Sequence, residues 1–546
     1  MVGTVVGTPR PGHGKAGRGV PSAGYLRNEP GTGLYMPQIV PALRDRAEDV
    51  RTAWMQANSR ANDAQMNSGW IAGVVEQVVA LMIGTGLRLN HKPDGSVLGW
   101  DEQQTAAWAR QVEKRWEIWA SQPYECDATG RYTIAQMEAA AVRQWIGTGE
   151  IVAAIREIDR PGAETRTKVR LIPSHWLSQR DEPMVRLAHG VHTDGNGLPV
   201  GYLFDLPDPL HCRREVRMPA RDAYGRPRIV HVFDGAAGQV RGITPLAPAL
   251  RIVRQFDQLA DATLTAAMIH AIFAATIESD YPTADVMAAL QDQDEVASSV
   301  EGPSLAGAFD AFMAQKVGWH REVNIDLGRH GKIAHLLMGE KLKLQGSEHP
   351  NATYEAFANF LLREIASCLG VMPSDLTGDY RGDTYSSVRM GIAKKWPLME
   401  YRRRHIPGRL AQAIFEAWLE EEIDTGRIPL DGGIERFVMF RTSIVRADWR
   451  GPPKPQADDV KAAKAHETWY RLGVMSQEMI CNDLGVDHED VHEQLSREKA
   501  NRERHDLPDP VDLLTGGGSG LDAGATDGND ADDHAGADKE TTGGRD

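Results

Sequence analysis

The sequence predicts an α+β protein of more than one packed module, and three observations carry that expectation. Apolar residues recur at helical spacing through residues 41–82 and again through 102–145. Between Glu150 and Phe233 the pattern changes to short runs of strand-forming residues punctuated by Gly, Pro, Asp and Asn. Helical spacing then returns after Pro245 and dominates the second half. At 546 residues the chain is too long for a single hydrophobic core. An apolar content of 41% and a charged content of 25% are ordinary for a globular chain.

Taken in order, residues 1–40 hold nine glycines before position 35 and little apolar clustering, and are expected to be disordered. A helical stretch to Met82, interrupted at Asn67-Ser68-Gly69, stops at Gly84-Thr85-Gly86. A helix over 102–120 carries Trp108, Trp116 and Trp119. The next, over 134–145, stops at Gly147-Thr148-Gly149 and feeds a strand over 150–158. Asp194-Gly195-Asn196-Gly197, between strand-forming flanks, reads as a hairpin turn whose residues supply positive φ angles. Ile229-Val230-His231-Val232-Phe233 is a short buried strand. Gly238-Gln239-Val240-Arg241-Gly242-Ile243-Thr244-Pro245 is a glycine-rich entry into a helix, with Thr244 as N-cap and Pro245 at the first helical position. That helix is expected to run over 244–278.

Residues 279–345 mix an Ala-rich helical pattern with strand character near 333–338. A helix over 351–369 places Tyr354, Phe357, Leu361, Ile365 and Cys368 on one stripe; Gly370 ends it and Pro373 blocks its continuation. A polar loop over 374–384 follows, then a helix from about Ser386 with kinks at Pro397 and Pro407. Gly451-Pro452-Pro453-Lys454-Pro455-Gln456 is a linker, two short polar helices fill 457–505, and a Gly/Asp-rich disordered tail closes the chain.

Charge and cysteine content narrow the function. Residues 506–546 carry 11 acidic residues against two basic ones, a net −9 of the chain's −15, so the remainder carries only −6. A tight, static DNA binder is usually strongly basic. Cys126, Cys212, Cys368 and Cys481 lie far apart with no Cys-x-x-Cys pair, which argues against a zinc ribbon or disulfide framework and fits a reducing cytoplasm. Residues 1–12 lack the apolar core of a signal peptide. The apolar runs 71–83 and 266–277 are broken by polar residues short of the roughly 18 that a membrane span needs. A soluble intracellular protein with no membrane partner is expected.

The turn around Asp194, Gly195 and Gly197, the strand bearing His231, and the Gln239, Arg241, Gly242, Pro245 segment keep an order and spacing that resembles the lambda-type portal family of tailed bacteriophages. Leu369-Gly370-Val371-Met372-Pro373-Ser374-Asp375-Leu376 and Tyr385-Ser386-Ser387-Val388-Arg389 are also similar to that family's post-stem turn and following helix. The resemblance covers roughly residues 45–500. It implies a non-enzymatic portal fold: a wing (41–243 and 371–455), a stem of long helices (244–278 and 351–370), a clip (279–350) and a helical crown (456–505). It further implies a closed ring, typically of twelve subunits, at one capsid vertex. Double-stranded DNA would pass through without sequence preference, and terminase, the major capsid and scaffold proteins and the head-completion (connector) proteins would dock. The chain would assemble in the host bacterial cytoplasm and reside in the virion, with no cofactor, metal or catalytic residue. The channel would be lined by the loop bearing Asp375, Asp379, Arg381 and Asp383 and by Arg389, Lys394 and Lys395 on the next helix.

Competing chemistries find weaker support. His488-Glu489-Asp490-Val491-His492 matches the H-E-x-x-H pattern, in which two histidines one helical turn apart bind zinc and the Glu activates water. Its flanks, Asp487, Glu493, Gln494, Arg497 and Glu498, are those of a solvated helix, and the extended protease pattern fails at Leu495 and Glu498. Gly14-Lys15 is followed by Ala16, and Pro9 stands where a P-loop needs glycine. No G-x-S-x-G elbow is present. A generic helical scaffold is the remaining alternative. The basic run over 389–409, including Arg402, Arg403 and Arg404, is either a phosphate-contacting surface or a solvated face with intersubunit ion pairs.

Gly- and Asp-rich sequence cannot bury enough apolar area to offset its ordering entropy. Truncation after Leu507 is therefore expected to leave assembly intact, measured as an unchanged number of subunits per particle by native mass spectrometry.

Overall fold

The computed structural model describes residues 45–208, 213–272, 275–279, 314, 340–344, 352–382, 384–456 and 458–507. The expectations for the two termini, for most of the segment 279–350 and for Asp383 lie outside the described residues.

Helices α1 (Arg46–Asn67) and α2 (Gly69–Met82) are separated at Ser68, whose backbone is extended. α2 buries Ile71, Val74, Val75, Val78, Val79 and Met82, and Gly84 ends the segment in the left-handed region at φ 60°. Strand β1 (Arg88–His91) leads to α3 (Glu102–Ser121) and α4 (Ile134–Thr148). Both helices open with reciprocal caps: Asp101 with Gln104, and Thr133 with Gln136. α4 extends to Thr148 before Gly149 turns left-handed, at φ 78°.

Next come β2 (Glu150–Glu157), β3 (Thr167–Ile172), β4 (Leu187–Ala188), β5 (Val191–Thr193), β6 (Pro199–Leu206), β7 (Arg214–Pro219) and β8 (Ile229–Phe233). They form two antiparallel sheets, ordered β3-β2-β8 and β4-β5-β6-β7. β2 is central in the first sheet, and its first six residues are all buried.

The second half is helical and departs from expectation at several joints. Thr244 and Pro245 lie in a turn, a 3-10 turn covers Ala247–Ala249 around Pro248, and α5 (Leu250–Ile272) starts only afterwards. Its 23 residues span about 35 Å and fall short of the 244–278 run expected from sequence. Beyond it the backbone is extended in β9 (Ala275–Ser279), which pairs antiparallel with β10 (Glu340–Leu344). α6 (Ala352–Leu369) packs beside α5 and ends at Gly370, φ 76°. Pro373 does not open a loop. It is the first residue of a short helix, α7 (Pro373–Thr377), because the Asp375 carboxylate accepts the Met372 N–H at 3.0 Å. α8 (Tyr385–His405) continues through Pro397. The chain breaks only at Ile406, and Pro407 starts α9 (Pro407–Asp424). α10 (Gly433–Met439) and β11 (Ala447–Arg450), which pairs with β1, complete the body. Three helices rather than two follow the linker: α11 (Asp459–Arg471), α12 (Gln477–Asp483) and α13 (His488–Arg504).

One continuous core joins α2, α3, α4, the inner face of the β2 sheet, α5, α6 and α9. At its centre the Trp116 ring lies 5.2 Å from Trp119, 5.3 Å from Trp418, and 5.6 Å from both Phe415 and Trp449. The tryptophans of α3 thus clamp α9 and β11, residues some 300 positions later in the chain. Glu421 adds a polar tie, accepting the backbone N–H groups of Arg166 and Thr167 at 2.6 and 2.7 Å. Among the described residues, no helix is long and apolar enough to cross a membrane. Trp116→Ala is expected to cost about 3–5 kcal/mol, read from chemical denaturation, because it opens a void at a five-ring contact.

Candidate functional site

Three sets of candidate residues can be placed: the glycine-rich entry motif, the loop after α6 with the basic helix α8, and the two histidines of α13.

The entry motif is a buried junction. Glu150, the first residue of β2, and Arg241 are both fully buried, and the guanidinium Nη2 donates to Glu150 Oε1 at 2.6 Å and Nε donates at 3.0 and 2.9 Å. His231 Nε2 on β8 lies 3.1 Å from Glu150 Oε2, and the Gly242 N–H donates to the same oxygen at 2.9 Å. Arg241 spends its other hydrogens on the carbonyls of Ser174, Ser178 and His189, and its guanidinium lies 4.6 Å from the centre of the Trp54 ring. Burial alone would raise the Glu150 pKa, but the Arg241 charge and the hydrogen bonds from His231 and Arg241 outweigh it and hold the carboxyl at about 2.

Each remaining motif residue has a part. Gln239 accepts the Ala236 N–H and donates to the Arg241 carbonyl at 2.6 Å, closing the loop. A Cβ at Gly242 would stand 2.1 Å from the Gly149 carbonyl oxygen, and one at Gly149 would stand 2.0 Å from the Ile243 carbonyl carbon, so both positions require glycine. The Thr244 hydroxyl donates to the Ile146 carbonyl, and the Thr244 N–H donates to Asn58 Oδ1 on α1. Thr244 also accepts the Leu246 N–H at 3.1 Å, so it caps a turn rather than the helix itself, and Pro245 lies in that turn. In the hairpin, Asp194 Oδ1 accepts the N–H groups of Asn196 and Leu198, both at 2.8 Å. Among Asp194, Gly195, Asn196 and Gly197 only Gly197 has positive φ, at 89°, because the Asp194 carboxylate already closes the turn.

The loop after α6 is less charged than its sequence implies. Asp375 is engaged at the start of α7. Arg381 donates to both carboxylate oxygens of Asp379, at 2.9 and 2.7 Å, which pulls the Asp379 pKa down to about 2. Arg381 also lies 3.9 Å from Glu355 on α6. Arg389 and Lys394 on α8 are exposed and Lys395 is half-buried.

The end of the basic run has a different task. Arg402 donates to the carbonyls of Leu369 and Cys368 at the C-terminus of α6, with its guanidinium 5.4 Å from the Trp145 ring centre. Arg403 donates to Met82 and Leu81 at the C-terminus of α2, at 2.8 and 3.0 Å, and to Pro452 in the linker at 3.2 Å. Two cations therefore satisfy the unpaired carbonyls of two helix ends. This is neither of the uses expected from sequence.

His488 and His492 lie one turn apart on α13 with ring centres 5.4 Å apart. Glu489 lies 3.7 Å from Arg110 of α3. Among the described residues, no group of three His, Cys, Asp or Glu side chains is placed to hold a metal ion.

Against known proteins, the sequence model of the phage portal protein, lambda family, matches residues 33–403. The chain belongs to the lambda family of phage portal proteins. It is 26% identical over 506 residues to portal protein B of Escherichia phage lambda, covering 91% of this chain and 93% of that protein. It is 25% identical over 498 residues to the portal protein of Escherichia phage N15, covering 90% and 92%. Among solved structures it is similar to a chain in the neck of an empty GTA particle, with a TM-score of 0.43, 14% identity, and coverage of 80% of this chain and 94% of that one. It is also similar to a chain of the native gene transfer agent (GTA) virion, with a TM-score of 0.35, 15% identity, and coverage of 76% and 99%. The glycine-rich entry segment of this chain is thus a buried ionic junction.

Sequence reasoning missed Glu150, Asn58 and Gly149 as partners of that motif. The available signal was a charged residue opening an otherwise apolar strand, directly after a glycine stop. Because the folded-state pKa of Glu150 is depressed, its contribution to stability is present above the unfolded value near 4.5 and is lost as pH falls towards 2. Glu150→Gln is expected to lower stability at pH 7 by about 3–5 kcal/mol, since it strands a buried guanidinium. It should also flatten the acid-unfolding profile between pH 4.5 and 2, measured by denaturant titration at each pH.

Proposed function

We propose that this portal protein assembles as a closed ring of twelve subunits at one capsid vertex, and that double-stranded DNA enters and leaves the capsid through its central channel. Membership of the lambda portal family is the observation that carries this reading. Wing, stem, clip and crown are assigned to 41–243 with 371–455, to 244–278 with 351–370, to 279–350, and to 456–505. The chain leaves the body along α5 and returns beside it along α6, which suits a stem. Those helices expose Leu264, Phe357 and Phe360, apolar side chains that neighbouring copies would cover. A heterologous contact that closes on itself needs no self-complementary patch.

The role is structural rather than enzymatic. Terminase, scaffold and major capsid proteins, and head-completion proteins are the partners assigned to the assembled ring. The virion is its final location, after assembly in the host bacterial cytoplasm.

The channel surface is assigned to the loop bearing Asp375, Asp379, Arg381 and Asp383, followed by Arg389, Lys394 and Lys395. Local neutralisation supports a sliding contact: Arg381 is paired with Asp379 and does not stand free to grip a phosphate. Repetition around a ring multiplies any change in that balance.

Negative-stain images of purified protein are expected to show rings with a central opening; monomers or two-fold dimers alone across assembly conditions would contradict the reading. Replacing Asp379 and Asp383 by Lys reverses two charges and releases Arg381 from its partner. The double variant is expected to form normal rings, to retain DNA more strongly at low salt than at high salt, and to slow packaging and ejection. Wild-type rates over the whole salt range would show the loop to be a bare connection between helices.

A further inference from the structure

The C-terminal helices α11–α13 are attached differently from the described helices that build the core. The apolar core ends with Ala447 and Trp449 of β11, and among the described residues beyond them only His466 is buried. α12 and α13 bury no residue at all, while Leu472, Val474, Leu484 and Leu495 stand half or more exposed.

What joins α13 to the body is charge. Arg110 of α3, only 15% exposed, lies 4.0 Å from Asp487, 3.7 Å from Glu489 and 3.6 Å from Glu493, and is hydrogen-bonded to Asp490. Lys114, one turn on, pairs with Glu493 at 3.0 Å. Arg450 of β11 reaches Asp487 and Glu478, both at 3.2 Å, and Lys92 lies 3.6 Å from Glu478. Arg88 donates to the Gly485 carbonyl at 3.4 Å. The cations all come from the body and the anions from α12, α13 and the turn before α13.

Two body carboxylates break that pattern: Asp448 of β11, 3.5 Å from Lys92, and Glu113 of α3. Glu113 sits on the same face of α3, accepts the His91 N–H at 2.7 Å, and lies 3.7 Å from Arg110. It lines a cleft of about 560 Å³ shared with His91, Lys92, Arg450, Glu478, Asp487, His488 and Glu489.

We propose that α12 and α13 are held to α3 and β11 by an electrostatic clasp centred on Arg110, which opens with rising ionic strength and whose strength is set by the protonation of Glu113. Closing the clasp buries Glu113 and brings Asp487 and Glu489 against it. Burial, then those two charges, push its pKa up to about 7 against the opposing His91 N–H and Arg110. A carboxyl whose pKa rises on closure takes up a proton on closure. The closed state is therefore favoured as pH falls through 7 and weakened as pH rises past it. Ion pairs between partly exposed groups are also screened, since the Debye length shortens from about 10 Å at 0.1 M salt to about 3 Å at 1 M.

Hydrogen exchange followed by mass spectrometry on the full-length protein tests this in residues 484–495, with residues 134–148 as the internal control for global unfolding. Between 0.1 and 1 M NaCl, exchange in 484–495 is expected to quicken about fivefold, the change that a loss of the order of one ion pair produces, while the control stays constant. Arg110→Met is expected to show the high-salt rate already at 0.1 M. After correction for intrinsic exchange, the wild type should exchange faster in 484–495 at pH 8 than at pH 6, and Glu113→Gln should abolish that difference while keeping the salt response. An unchanged rate across the salt range would overturn the clasp. A full pH response retained in Glu113→Gln would overturn the assignment of its proton.

Discussion

The buried pair between Glu150 and Arg241 is the interaction on which the arrangement of the body depends. Two opposite charges with no exposed surface are expensive to remove from water, and their mutual attraction offsets that cost only where every remaining donor and acceptor is also met. Here that condition is fulfilled by groups from five places in the chain: His231 of β8, the Gly242 N–H, and the carbonyls of Ser174, Ser178 and His189. Satisfying the pair therefore fixes the first sheet, the second sheet and the route into α5 relative to one another. The crossing of Gly149 and Gly242 is a consequence, since the carboxylate and guanidinium meet only if the two backbones nearly touch.

A second constraint works through helix ends. α2 and α6 finish inside the body, where their last carbonyls need donors. Arg403 and Arg402, adjacent on α8, supply them to one helix each. Because neighbouring residues on a helix point about 100° apart, the two guanidinium groups reach in different directions and set α8 across both ends. A basic run that looks like a nucleic-acid surface in one dimension is thus divided. Arg389 and Lys394 are exposed, and the last turn is structural.

The same contrast separates the body from its C-terminal helices. The body is bound by shared apolar burial with a few fully satisfied polar junctions. α12 and α13 meet it through partly exposed ion pairs, a weaker and more condition-dependent attachment.

Much of this was legible in the residues. The glycine stops at Gly84, Gly149 and Gly370, the tryptophans of α3, the strand of His231 and the order of the entry motif all follow from local rules, and the resemblance they carried was to the right family. Local rules failed where a partner lies far away in sequence. Pro245, Pro373, Pro397 and Pro407 were read by one proline rule each, yet one sits in a turn, two start helices and one lies within a helix, according to what the surrounding backbone could bond. Glu150 passed unnoticed because a strand's first residue says nothing about an arginine 91 positions later. Asp379 and Arg381 were visible as charges, but their mutual cancellation was not. Sequence by itself determined most helices and strands of the body and which family the chain resembles, because those depend on neighbours along the chain. Only the tertiary structure decided which charges are spent inside the fold and which remain exposed at its surface, because pairing is settled by distance in space.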